Sequence, residues 1–467
     1  MRYPATKAFE GNDQVKPDEM VVYRLEENET RRQVVKRDDD VLSPEEIKTH
    51  WSECLTAMLK ELQTWKKLNC FSRRPRSTSK NIIDTRWVLK WKWDYPIVDA
   101  DASTSKKAEP VRIIRARLCT RGFKDHDKDE IARYAGTSSR SAQKLLVSEA
   151  VRNGWDICTT DISKAFLQGV TYDELAQLTG EPTREVNFYL PAYNIPMLRQ
   201  LDGFAGFDPL REVLHCDKPG KGLVDAPRAF SLKLRQVTEG KCGLVASKID
   251  PELCFKHEKV GGDLWEVRLL LTKHVDDLKI TGAKDAIMAT LKALQEVFGE
   301  LKVIWNDFTN CGVAHILNPE TRSMTLDQIQ YINNMRAVAH PELKGDPDAA
   351  CGPELHKLFM SLLGAVAYAA QTRVDCLVFI CALQRHNCAP KVEHVLRLNK
   401  LLRWMQRHHR KLTYRTLEEK ATHLRIISDA AFKRENDDGY SLRGAIDHSS
   451  AGTTQSSITG KSRPRHL

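Results

Sequence analysis

The sequence predicts an α+β protein, and three observations carry that expectation. Residues Arg86 to Trp93 (RWVLKWKW) alternate polar and apolar side chains, the period of a half-buried strand. Between Glu45 and Leu68 the apolar positions Ile47, Trp51, Leu55, Met58, Leu59, Leu62 and Trp65 recur at helical spacing. Two further apolar runs end in acids, one at Asp161 and the other at the pair Asp276–Asp277, so that carboxylates sit at strand ends.

Taken in order, residues 1–43 mix charges without periodicity and read as a flexible lead-in, with Ser43 a helix cap before Pro44 and Glu46. The helix at 45–68 is followed by a basic loop, SRRPRSTSKN. The strand at 86–93 pairs with a second strand, VRIIRARLCTRG, across a polar loop (VDADASTSKKAEP), giving a hairpin that bears a row of arginines. A helix over 142–153 and a buried strand over 156–162 come next. Between Val170 and Lys221 the only element that reads clearly is a strand at 185–190. A helix at 226–240 follows. The apolar runs 267–272 and 278–281 flank HVDD, which places that motif at a hairpin tip. An amphipathic helix spans 283–298, and the turn residues NPETRS precede MTLDQIQYI, another hairpin and a helix. Three helical stretches occupy 354–410, HLRIISDAAF is a strand reaching Asp429, and the tail after Ala451 is expected to be disordered.

Length and composition set outer limits. A chain of 467 residues suggests two to four structural units, and 41% hydrophobic with 29% charged residues fits a globular protein. No run approaches the roughly 20 apolar residues of a membrane span. The first twenty residues lack a signal-peptide core, so a cytoplasmic or nuclear location and no membrane partner are expected. Twelve cysteines contain no Cys-x-x-Cys pair; the densest group, Cys381, His386 and Cys388, lies in an apolar helical stretch and reads as reduced core thiols rather than a zinc site. The formal charge of +10, from 72 Lys and Arg against 62 Asp and Glu, is compatible with a polyanionic partner.

The acids in TTDISKAFLQG and LLLTKHVDDLKITG carry the chemistry. Adjacent aspartates at the end of an apolar strand repel each other where burial is costly, and a divalent cation would neutralise them. If the strand ending in Asp161 neighbours this hairpin, three carboxylates converge on one edge. Two-metal phosphoryl transfer needs that arrangement, with two Mg²⁺ about 4 Å apart. Magnesium suits hard oxygen ligands, with Mn²⁺ an alternative. An Asp–Asp pair is also ordinary turn chemistry, so the flanking segments decide between the two readings.

Those segments resemble the reverse transcriptase of copia-type LTR retrotransposons. RWVLKWKWD resembles that family's KWVFKIKRD-like segment, and IRARLCTRGF its KARLVAKGF. NGWDICTTDISKAFLQG resembles NGWELHQLDVKTAFLNG, GLVDAPRAF resembles GLKQAPRAW, and HVDDLKITG resembles YVDDLLITG. FGELK and MTLDQIQYI match the segment after the palm, LLGAVAYAAQTRVD resembles LIGSLMYLTTATRPD, and SDAAF resembles SDADW at the start of the family's ribonuclease H domain. The matches run in family order from about residue 45 to 433.

The resemblance implies a right-hand polymerase: fingers and ferredoxin-like palm over 44–345, a helical thumb or connection over 346–420, and a truncated ribonuclease H-like start over 421–450. It implies RNA-directed DNA polymerase activity on an RNA or DNA template with primer, using deoxynucleoside triphosphates, inside a retroelement particle. Asp161, Asp276 and Asp277 match the catalytic, metal-binding aspartates. Ile162, Ser163, Lys164 and Ala165 match the turn whose backbone meets the triphosphate, and Phe166 the aromatic gate against a 2′-hydroxyl. Arg115, Arg117 and Arg121 match basic triphosphate contacts and are expected on one face by alternation. Gly222 and Pro227 match the block lining the nucleotide and template side. Several positions depart from the family. Lys221 replaces a tyrosine, Val224 a lysine, Asp225 a glutamine, Phe230 a tryptophan and His274 a tyrosine. An acidic Asp225 would be unfavourable if it faced phosphate. Asp429 matches the first ribonuclease H carboxylate, but only 38 residues follow (467 − 429), so no such activity is expected. The alternative function is a degenerate retroelement copy that binds nucleic acid without catalysis. Nothing in the sequence sets an oligomeric state.

Overall fold

The computed structural model describes residues 40–93 and 111–416 with their side chains. It describes the backbone alone of Asp94 and of five outlying strands: Glu19–Glu26, Glu29–Lys36, Thr422–Ala430, Leu442–Ala451 and Thr459–Pro464. The loop at 98–110 lies outside the described residues. So does the rest of the lead-in before residue 40 and of the tail, although the lead-in contains two described strands and the tail one, where the sequence predicts none. Glu19–Glu26 pairs antiparallel with Glu29–Lys36, and Thr459–Pro464 with Leu442–Ala451.

The elements that carry the site are, in chain order, α1 (Trp51–Lys67), β1 (Ile82–Asp94), β2 (Val111–Thr120), α2 (Arg140–Asn153), β3 (Asp156–Asp161), β4 (Leu264–His274), β5 (Asp277–Gly282), α3 (Lys284–Phe298), β6 (Lys302–Trp305), β7 (Asp307–Asn310) and β8 (Val313–Leu317). The chain folds into two compact units. The first comprises Met1–Tyr134 and Phe166–Leu232, the second Ala135–Ala165 and Lys233–Leu467.

In the first unit a five-stranded sheet runs in the order Phe71–Pro75, Glu212–Cys216, Asn187–Tyr189, β1, β2. The period-2 pattern of β1 and β2 puts Ile83, Leu89, Ile114, Ala116 and Leu118 on one face, where they meet Met58, Leu62 and Trp65 from the apolar stripe of α1. The leucine, isoleucine and methionine side chains among them each contribute roughly 1.5–3 kcal/mol on burial. The helix predicted over 45–68 is two: Ser43 and Glu46 form a capping box on Pro44–Thr49, and the helical path breaks at His50 before α1 begins. The segment read as a basic loop contains a strand, Phe71–Pro75. Its pairing with Glu212–Cys216, reinforced by Arg73 gripping Glu212 through Nε (2.9 Å) and Nη2 (2.8 Å), overrides its loop-like composition.

In the second unit a six-stranded antiparallel sheet runs β6, β3, β5, β4, Leu253–Gly261, Val245–Ala246. Helix α2, capped by Ser139, buries Leu146, Val147, Ala150 and Val151 against Ile157 and Leu270 of this sheet and against Phe308, Met324, Leu326 and Tyr414 of a second, four-stranded sheet that includes β7 and β8. The helices Pro353–Ala369, Leu377–Gln384 and Val392–Arg407 form a separate apolar cluster around Phe359, Val366, Leu398 and Leu402. Cys381 is buried and Cys388 exposed there, and all twelve cysteines are free thiols.

One backbone crossing in the first unit explains a glycine. The Thr120 N–H donates to Lys221 O at 2.8 Å, so the two chains nearly touch, and a Cβ on Gly222 would lie 2.1 Å from Thr120 O. Gly222 also has φ +98°, a backbone region that side chains rarely adopt. Replacing Gly222 by Ala should therefore cost more than about 2 kcal/mol in urea unfolding, from overlap added to backbone strain. Gly206→Ala, at φ +72° in open space, should cost only about 1 kcal/mol. Equal losses would show that the crossing is not tight.

Candidate active site

The hairpin predicted at HVDD is present, and its tip is strained. His274 and Asp277 are the last paired residues of β4 and β5, leaving Val275 and Asp276 as a two-residue connection. Val275 has φ +61° and Asp276 does not share the positive sign, the φ pattern of a type II′ turn, which favours glycine at its first central position. A β-branched side chain there costs on the order of 1–3 kcal/mol, and strain of this kind concentrates at functional sites.

The strand ending in Asp161 is the immediate neighbour of this hairpin. In the β3–β5 ladder Asp161 stands opposite Asp277, and the Ile162 N–H donates to Asp276 O at 3.1 Å, fixing the tip to the end of β3. Residues paired across antiparallel strands project from one face with Cβ atoms about 4.5–5.5 Å apart, and like charges so placed repel. Asp161 is exposed and Asp277 half-buried. Burial raises the pKa of Asp277, the charge of Asp276 raises it further, and His274 partly offsets both. Carboxylates in register at a strand edge are hard oxygen donors, the kind a divalent cation takes. Among the described residues no group of three or more His, Cys, Asp and Glu side chains is gathered to hold a metal ion. Asp161 and Asp277 are fixed by the ladder, and Asp276 sits in the turn, where its charge acts on Asp277.

The other predicted site residues divide. In the turn after β3, Ile162 and Ala165 are buried, Ser163 is exposed, and Lys164 has φ +57°. The Ile162 N–H is occupied by Asp276 O, which removes it from the donors expected for a triphosphate. Phe166 is half-buried and packs edge-on against Phe230 with centroids 6.5 Å apart, so it is not a plain core phenylalanine. Arg115 and Arg117 share a face of β2 as alternation predicts. Arg121 lies one residue past the strand's end at Thr120, where its N–H donates to Asp84 O (3.0 Å) and its guanidinium meets the Asp84 carboxylate (3.1 Å), which Lys124 also meets at 2.8 Å. Gly222 has the packing role described above.

Two features escaped the sequence reading. Asp225 is fully buried and paired with Arg184, whose guanidinium also binds the buried carboxylate of Asp125 and lies 5.6 Å from the ring of Tyr172. Burial raises the Asp225 pKa and Arg184 opposes the rise. An acid at this position is thus an internal partner of Arg184. The second feature lies under the carboxylates. Lys279, two residues after Asp277 on the same face of β5, is buried and donates to Gln143 O at 3.0 Å, with His315 Nε2 3.2 Å away. His315 Nδ1 lies 2.9 Å from Val313 O, so its partners place the ring proton on Nδ1 and leave Nε2 to accept from Lys279. Burial pushes the Lys279 ammonium down to about 7 and holds His315 well below the usual imidazole range. A lysine inside the apolar run LKITG was the available signal.

The chain is 24% identical over 349 residues to the retrovirus-related Pol polyprotein from transposon RE2 of Arabidopsis thaliana, a match covering 71% of this chain and 21% of that polyprotein. The chain therefore spans about a fifth of the length of this relative. Among solved structures it is similar to the foamy viral protease-reverse transcriptase in complex with double-stranded DNA, at TM-score 0.42 and 11% identity, covering 88% of this chain and 55% of that one. No protein-family model matches. The sequence relationship is thus weak homology to a retroelement Pol polyprotein.

The buried lysine generates a pH prediction. Unfolded, Lys279 holds its proton up to about pH 10.4, whereas folded it releases it near 7. Between those values the unfolded chain binds more protons, so this group makes the protein more stable as pH rises, and that contribution is lost as pH falls toward 7. In urea unfolding, the wild type should gain about 2–4 kcal/mol on Lys279→Met between pH 7 and pH 10. Parallel stability profiles for the two proteins would show that Lys279 is not desolvated.

Proposed function

We propose that this chain is the polymerase portion of a copia-type retroelement Pol protein, an RNA-directed DNA polymerase that adds deoxynucleotides to a primer on an RNA or DNA template. The observation that carries this reading is the register of Asp161 opposite Asp277 beside a strained two-residue turn. Ordinary turn chemistry accounts for an Asp–Asp pair, but not for a third aspartate in register with it at the end of a neighbouring strand.

In the reaction, the primer 3′-hydroxyl oxygen bonds to the α-phosphorus of the incoming triphosphate, the bond to the β-phosphate oxygen breaks, and pyrophosphate leaves. Asp161 and Asp277 would hold Mg²⁺, with Mn²⁺ a substitute, and Asp276 would join them from the turn. When bound, the ions would promote ionisation of the attacking hydroxyl and stabilise the departing oxygen. Ile162 acts as a brace, because its N–H fixes the turn carrying Asp276 against β3. Ser163, Lys164 and Ala165 form the turn that the resemblance matches to the triphosphate contact. Phe166, partly exposed beside Phe230, is the side chain suited to contact the sugar edge.

A second reading, a nucleic-acid-binding remnant without catalysis, draws on the incomplete gathering of the three carboxylates. Primer extension on an RNA template separates the two. The wild type should extend, and Asp161→Asn, Asp276→Asn and Asp277→Asn should each lose several kcal/mol of transition-state stabilisation, roughly a thousandfold or more in rate. Retained primer–template binding with equal background extension in all four proteins would sink the polymerase reading and leave the remnant.

A further inference from the structure

The turn that carries Asp276 is held on its far flank by a segment that the proposed reaction does not use. β4 pairs with β5 along one edge; along the other, the neighbouring strand Leu253–Gly261 stops opposite Thr272. Glu252 continues that line by accepting from the Lys273 N–H at 2.9 Å, and the chain entering α2 then takes over. The Ser138 N–H donates to Lys273 O at 2.9 Å, and Thr137 forms an antiparallel bridge with His274. His274 is thus paired with Asp277 on one side and with Thr137 on the other. Asp250 ties the same pieces together, since its carboxylate accepts from the Ser139 N–H (2.8 Å) and from the Glu252 N–H (3.1 Å).

At the centre of this latch is an ion pair removed from water. Lys273 Nζ lies 3.1 Å from Glu252 Oε2, with the two side chains 3% and 13% exposed. Strand alternation puts Lys273 on the face of β4 that Leu269 and Leu271 occupy, both fully buried, so an apolar side chain would suit the position. A buried ion pair adds little net stability over apolar side chains of similar volume. What it adds is dependence on one arrangement, because either partner alone is a buried, unpaired charge. Gly136 fits the same logic. It is buried, and a Cβ there would lie 1.9 Å from Glu252 Oε1, so the backbone passes directly against the carboxylate.

We propose that Glu252 is a positioning residue for the metal site: by holding Lys273 and the segment that pairs with His274, it fixes the turn that presents Asp276 and Asp277. The turn needs such a hold. Val275 is in a backbone region that its side chain disfavours, and the charge of Asp276 acts against that of Asp277, so an unrestrained tip relaxes away from the register with Asp161. The Ile162 bond secures one flank of the turn, and the latch secures the other. Glu252 acts through the backbone rather than as a ligand, and groups that orient metal ligands in this way set how tightly the ion binds. This inference rests on the metal-binding role given above to Asp161 and Asp277.

The test is Mn²⁺ binding to the full chain, read from the electron paramagnetic resonance signal of free Mn²⁺. Glu252→Gln removes a negative charge, Lys273→Met removes a positive one, and Gly136→Ala changes none. Positioning requires all three to weaken Mn²⁺ affinity, by roughly tenfold. Long-range attraction alone would instead weaken binding in Glu252→Gln, tighten it in Lys273→Met and leave Gly136→Ala unchanged, and that pattern would overturn the proposal. Glu252→Leu/Lys273→Met separates position from stability. It should keep a urea midpoint near that of the wild type yet still bind Mn²⁺ about tenfold more weakly, and recovery of wild-type affinity would reduce the pair to a packing role. Adding Gly136→Ala to Glu252→Ala should weaken binding no further, because the new Cβ then meets no carboxylate. Asp277→Asn, measured alongside, distinguishes the two readings. If it abolishes binding while the three single variants bind as the wild type does, the positioning role falls and the metal site stands. If Asp277→Asn itself binds as the wild type does, the metal site falls and the positioning role with it.

Discussion

Two carboxylates facing each other across neighbouring strands are an electrostatic liability that the second unit is built to sustain. The β3–β5 ladder fixes Asp161 and Asp277 by main-chain hydrogen bonds, and the Ile162 bond to the turn removes the freedom by which the charges could separate. A strained valine sits at the tip of the same turn. Neither the facing charges nor the strained valine stabilises the fold, and both are bearable only because the apolar strands beneath are paired on both sides and packed by α2. Beneath the carboxylates the sheet is unexpectedly polar. Lys279, His315, Thr159 and Asn310 occupy space that would otherwise be filled by apolar side chains, and each is hydrogen-bonded there. Burying polar groups in this way makes the region dependent on mutual satisfaction rather than on packing alone.

Much of this was legible in the sequence, because the regular elements follow simple periods. The alternation in RWVLKWKW, the helical stripe through Met58, Leu62 and Trp65, and the apolar runs around HVDD each map onto an observed element. Where reading failed, long-range contacts overrode local signals. Phe71–Pro75 is a strand only because Glu212–Cys216 lies beside it. Arg121 lies one residue past the end of β2 and is spent on the Asp84 carboxylate, a partner that alternation could not name. Asp225 looked like a misplaced ligand-facing acid because its partner, Arg184, lies 41 residues away in a stretch that had no clear reading. That stretch did contain one local signal: Thr171 and Glu174 form a capping box for the helix Tyr172–Thr179. At the site, which strands neighbour one another could be stated only as a condition, because no spacing rule supplies the register that sets Asp161 opposite Asp277.

The basic residues show the same division between composition and placement. A net charge of +10 on 467 residues is modest and says little by itself. Its meaning lies in the register, which collects five cations on one face of a ribbon and spends Arg121 and Lys124 on a single acid at its end. Arg184, held between two buried carboxylates, and Arg373, buried against Asp375 and Met405 O, are structural cations that a charge count cannot distinguish from surface ones.

The path of the chain between its two units has a consequence for biogenesis. The first unit is interrupted: the chain leaves it after Tyr134, threads Ala135–Ala165 into the second, and returns at Phe166. A nascent chain emerging from the ribosome therefore cannot complete the first unit until residue 232 has been made, and α2 and β3 must wait, unpartnered, for β4 and β5 to be synthesised more than a hundred residues later. Contacts at that separation form slowly and leave apolar strand edges open in the interval, when aggregation competes with folding. The aspartate at the end of β3 is thus translated well before its partner across the ladder, and the candidate centre can assemble only late in synthesis.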